Sequence, residues 1–121
     1  MIKAVFKYWV PLYAYGALIF YMSSIPKPLP SLSIPYFDKS LHVIEYSIFG
    51  LLAARAFRYS TRHSFQENFK ILAILLTMIY GISDEFHQLF VPMRQFSIFD
   101  MIADGIGGII GTIFYGKGTT V

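Results

Sequence analysis

Residues 80–111, YGISDEFHQLFVPMRQFSIFDMIADGIGGIIG, carry four of the chain's seven acids inside otherwise apolar sequence. Two of them, Asp84 and Glu85, are adjacent, and His87, Gln88 and Arg94 follow. Ionisable groups in apolar helices are costly to desolvate, so they pair with one another, face a cavity or carry function. A chain with this stretch must fold so that the acids meet partners while their apolar neighbours face something other than water.

The rest of the composition says what that surrounding is. The chain is 55% hydrophobic and 14% charged over 121 residues, where a soluble domain carries about 25% charged residues. One domain of this size has too little interior for so much apolar surface, and the expected solvent is a bilayer. There are no cysteines, which excludes a disulfide framework, a thiolate metal site and a cysteine nucleophile. The net charge is +3, yet no basic helix interleaved with aromatics is present, so no nucleic-acid partner is expected.

Four helices are expected, at about 5–25, 38–57, 69–90 and 98–115, as an all-α membrane bundle. The first run is long enough to span a bilayer, with Pro11 an early, tolerated kink. Residues 26–37, with four prolines in twelve positions, read as an extended loop. Residues 58–70, RYSTRHSFQENFK, are too polar for the hydrocarbon and read as a basic loop containing a solvated His63. The third helix breaks at Pro92, and Asp100 lies near the start of the fourth.

Four spans put both termini and the 58–70 loop on one side. That side carries Lys3, Lys7, Arg55, Arg58, Arg62, Lys70 and Lys117; the other carries Lys27, Lys39 and Arg94. The excess of basic residues predicts cytoplasmic termini. All the acids except Glu67 fall toward the opposite end.

Residues three and four apart share a helix face. Asp38, His42, Glu45, Tyr46 and Phe49 form one such stripe; Asp84, His87 and Gln88 form a second; Asp100, Asp104, Gly108 and Gly111 form a third. Three polar faces thus start from the same end of the bundle and are expected to meet. Ala103, Gly107 and Gly111 make a small-residue ridge for close helix packing. Asp84 and Glu85, about 100° apart on a helix, do not form an acid/base couple by themselves, and a structural salt bridge to Arg94 or Lys39 would account for one of them. His42 suits an interhelical hydrogen bond or a general base. The spacings His42-x-x-Glu45 and Asp84-x-x-His87 resemble the inward pairs of metal-binding bundles, but the pattern is weak and no metal or cofactor is expected.

The residues Asp38-Lys39, His42, Tyr46 and Gly50, then Asp84-Glu85, His87-Gln88, Arg94, Ser97, Asp100, Ala103-Asp104, Gly107 and Gly111, resemble the two motifs of the VanZ-like membrane proteins. Asp104 stands where many members carry Asn, and Val43 where Phe is common. The resemblance implies a cytoplasmic-membrane protein of a family associated with reduced susceptibility to the glycopeptide teicoplanin; it brings no settled reaction.

The expected function is a cell-envelope protein whose polar pocket at the outer leaflet binds or positions an amphipathic lipid or lipid-linked envelope precursor. Lys39 and Arg94 would hold an anionic headgroup, while Asp38, His42, Tyr46, Asp84, Glu85, His87, Gln88, Asp100 and Asp104 complete the pocket. One alternative is a membrane hydrolase or transferase acting on such a lipid, with His42, Asp84 and Glu85 as catalytic candidates. Another is a proton-linked transporter, which with so few helices would work as a homo-oligomer.

Overall fold

A computed structural model describes residues 2–25, 37–92 and 97–118, with side chains from residue 40 in the second of these segments and up to residue 116 in the last. Every regular element among the described residues is helical. The order is α1 (Ile2–Ala4), a π-helical stretch (Val5–Trp9), α2 (Val10–Ser24), α3 (Phe37–Arg58), α4 (His63–Glu67), α5 (Phe69–Gln88) and α6 (Ile98–Gly118).

Local chemistry explains the departures from the sequence reading. Pro11 lacks an N–H, and its ring crowds the carbonyl four residues back. The turns before it widen into a π-helical stretch, and the Val10 N–H reaches the Val5 carbonyl. The polar 58–70 segment holds the short helix α4, where exposed His63 and Glu67 pair at 2.7 Å. At the start of α6, the Ser97 hydroxyl accepts the Asp100 N–H at 3.2 Å, an N-cap that occupies one of the orphan donors of a helix start.

Helix α3 packs most extensively on α6, and both pack on α5. The α3–α6 seam is built on glycine. A Cβ at Gly107 would stand 2.5 Å from the Val43 carbonyl, and one at Gly50 would stand 2.5 Å from that of Gly108. A Cβ at Gly111 would strike the Ser47 carbonyl. Gly81 plays the same part between α5 and α6, where an added Cβ would lie 2.9 Å from Asp104 Cβ. Backbones brought this close leave small side chains at the centre: Ala53, Ala54, Ala56 and Ala73 are fully buried.

Acids and hydroxyls are buried beside an apolar core of Leu12, Ile19, Tyr46 and Phe49, while large apolar side chains cover the outside. Thr77, Thr112, Asp84, Glu85, Gln88 and Asp104 are buried. Ile79, Phe86, Phe99, Ile102, Ile110 and Phe114 are exposed, each by more than two-fifths. The stretch Ile98–Gly116 of α6 is, among the described residues, the one helix long and apolar enough by itself to cross a membrane.

Candidate functional site: a buried histidine–carboxylate cluster

Asp84, Glu85, Asp100 and Asp104 converge where the C-terminal turns of α2 and α5 meet the N-terminal halves of α3 and α6. Antiparallel neighbours put these four segments at one end of the bundle. The basic residues Lys7 and Arg55 gather at the other, both lying over the ring of Tyr8.

At the centre, His42 Nδ1 lies 2.7 Å from Asp104 Oδ1. The Asp104 side chain is fully buried and that of His42 is 17% exposed. The other ring nitrogen, Nε2, lies 3.8 Å from Asp100 Oδ2. Asp104 reaches α3 because Gly81 and Gly107 let α6 settle against α5 and α3 together.

Tyr46, one turn beyond His42, is fully buried and donates its hydroxyl to Asp84 Oδ2 at 3.5 Å, a long bond. Glu85 is also fully buried, and its Oε1 accepts the Ser97 N–H at 2.9 Å. The loop side of α6 is therefore tied back to the end of α5.

Asp84, Glu85 and Asp104 each place a carboxylate oxygen within 4.8 Å of the others, and His42, Glu85 and Asp100 converge to the same tolerance. At an effective dielectric of about 20, two like charges 4.8 Å apart repel by about 3–4 kcal/mol. The first three groups therefore require protons, a cation or a cationic part of a ligand among them.

His87 and Gln88 belong to a neighbouring polar patch against α2. Gln88 Nε2 donates to Ser23 Oγ at 3.1 Å, and His87 lies 3.5 Å from Ser23 Oγ and 3.4 Å from Ser24 Oγ. The imidazole also stacks on Phe20, centroids 4.4 Å apart.

The structure thus gives His42 the interhelical hydrogen bond expected of it, to Asp104 on α6, with the Glu45 carboxylate of its own helix also near enough to act on its charge. It also sets the His87 ring against the serines of α2. The adjacent acids Asp84 and Glu85 are both buried, and they reach different partners, Tyr46 and the Ser97 N–H. Ser23 and Ser24 were missed as polar partners; two serines closing an apolar run were the available signal. The side chains of Asp38 and Lys39, and all of Arg94, lie outside the described residues, so the anion-holding role of the two cations rests on sequence alone.

The VanZ/LLP1 family model matches residues 2–117, nearly the whole chain. The chain belongs to the VanZ/LLP1 family. No curated protein and no solved structure matches it. VanZ/LLP1 membership fits a cell-envelope protein of the kind linked to teicoplanin resistance, and the apolar helix α6 fits a membrane location. Seven of the residues that carried the resemblance (His42, Tyr46, Asp84, Glu85, Ser97, Asp100 and Asp104) form one connected cluster in this VanZ/LLP1 chain.

Proposed function

We propose that this VanZ/LLP1 protein is a multi-pass membrane protein of the cell envelope, and that its carboxylate cluster binds the headgroup of an amphipathic lipid or lipid-linked precursor. The observation that carries the reading is the placement of polarity: carboxylates buried at one end, isoleucine and phenylalanine exposed along the sides. Such a surface suits hydrocarbon, and such an interior suits a polar group entering from the membrane face.

Length supports the multi-pass reading. Helices α3, α5 and α6 have 22, 20 and 21 residues, and about 20 residues cover the ~30 Å hydrocarbon core. The π-helical stretch and α2 continue each other as a fourth span. Spans α3 and α5 fall short on apolarity because they carry the site. The basic end faces the cytoplasm and the cluster faces the outer leaflet.

An apolar cavity of about 180 Å³ lies between α2, α3 and α5, lined by Leu12, Gly16, Phe49, Leu76 and Tyr80. Tyr80 is one turn from Asp84 on α5, so an acyl segment in this cavity would lie below a headgroup at the carboxylates. Lys39 and Arg94 would hold the anionic part of that headgroup.

The test is native mass spectrometry of lipids retained by the purified wild type and by Asp84→Asn. A lipid held unchanged by the wild type, and lost from the variant, is the expected result. Retention by neither protein would sink the headgroup reading.

A second reading is favoured by the His42–Asp104 contact, which would orient an imidazole as a general base. A membrane hydrolase or transferase would then convert the lipid, and a species that accumulates on Asp84→Asn but is changed by the wild type would identify it.

A further inference from the structure

We propose that Asp84, Glu85 and Asp104 bind one hard divalent cation of the Mg²⁺ or Mn²⁺ class. The proposal stands on these carboxylates and does not depend on the headgroup reading.

Proximity alone would be a weak argument, since acids gather in many proteins. The decisive feature is how each carboxylate is held. In each, a protein donor holds the group through one oxygen: Asp104 Oδ1 by His42, Asp84 Oδ2 by Tyr46 through a long 3.5 Å bond, with the Ser23 hydroxyl a further donor to that carboxylate, and Glu85 Oε1 by the Ser97 amide. In each, the second oxygen is buried and meets no donor: Asp104 Oδ2, Asp84 Oδ1 and Glu85 Oε2. Glu85 and Asp104 are fully buried and Asp84 is 6% exposed, and an ion held by the three would complete its shell with water, as Mg²⁺ commonly does.

A carboxylate steadied through one oxygen, with the other left for an ion, is the usual arrangement around protein-bound metals. Three anionic oxygens with no thiolate favour hard divalent ions over soft ones. His42 would act from outside the coordination shell, fixing Asp104. Two positive charges would also offset the mutual repulsion of the three acids, and would let an anionic group approach them.

The measurement is Mn²⁺ binding to the purified, detergent-solubilised full chain, read by electron paramagnetic resonance of free Mn²⁺. One Mn²⁺ per chain is expected, displaced by excess Mg²⁺. Glu85→Gln and Asp104→Asn should weaken binding at least about tenfold, whereas Glu67→Gln, on the exposed face of α4, should leave it unchanged. Thermal unfolding gives a second reading that uses the wild type alone: its Tm should rise with Mn²⁺ concentration.

No Mn²⁺ bound by the wild type above a detergent blank would overturn the site, whether or not the variants fold. So would a folded Glu85→Gln protein with wild-type affinity. Lipid retained by a protein that binds no Mn²⁺ would remove the cation and leave the headgroup reading in place.

Discussion

His42 on α3 and Asp104 on α6 meet at 2.7 Å, though 62 residues separate them in the chain. The contact ties together the two most extensively packed helices, at the depth where Asp104 has no access to solvent. His42→Ala would leave that carboxylate without its donor. Loss of one partner of a buried pair typically costs about 3–5 kcal/mol, and a loss near the lower end is expected because His42 is partly exposed. The double variant His42→Ala with Asp104→Ala should recover part of the loss. Unfolding of the three proteins in the same detergent, read by circular dichroism, checks it; strict additivity would show that the two side chains are not coupled.

The glycines of α6 should differ sharply in tolerance. At Gly111 a Cβ meets the Ser47 carbonyl, which belongs to helix backbone and cannot turn aside. Gly111→Ala should cost about 1–3 kcal/mol through forced separation of α3 and α6. At Gly105 the nearest neighbour is Met78 Cγ at 3.9 Å, and Gly105→Ala should be neutral or raise stability by up to about 1 kcal/mol through helix propensity. Melting temperatures of the two proteins give the comparison, and equal effects would contradict the close approach at the seam.

Membrane orientation is open to a direct test, because the chain contains no cysteine. Arg62→Cys places a thiol between α3 and α4, and Phe90→Cys places one just beyond α5, where Phe90 is 84% exposed. In intact cells a membrane-impermeant maleimide should label Phe90→Cys, and should label Arg62→Cys only after lysis. The reverse pattern would invert the topology, and labelling of both in intact cells would place both positions outside.

Ser97→Ala removes the hydroxyl that accepts the Asp100 N–H, yet keeps the backbone N–H that reaches Glu85. The loss of an N-cap should lower stability by about 1 kcal/mol while Mn²⁺ affinity stays within about twofold. A large fall in affinity at unchanged stability would show that the hydroxyl itself belongs to the ion site.

Much of this was legible in the residues. The run that begins at Ile98 reads as a helix because its apolar side chains recur around small ones, whereas the Ser97 cap before it emerged only from the structure. His42, Tyr46, Asp84, Glu85, Asp100 and Asp104 could be named as residues of one polar end because spacing of three and four holds within any α-helix. Helix lengths and the separation of basic from acidic ends follow from the same local rules.

Partner choice was not legible. Which acid His42 meets depends on the rotation of α3 about its axis and on its register against α6. Both are set where Gly107 and Gly111 seat on the Val43 and Ser47 carbonyls. His87 turns to the serines of α2 for the same kind of reason, a choice between faces that is made by packing. The amino-acid sequence by itself determined that this chain forms helices with acids at one end and apolar flanks. Tertiary structure alone decided which carboxylates share a space, because that depends on sub-turn offsets between helices, and contacts between residues distant in sequence set those offsets.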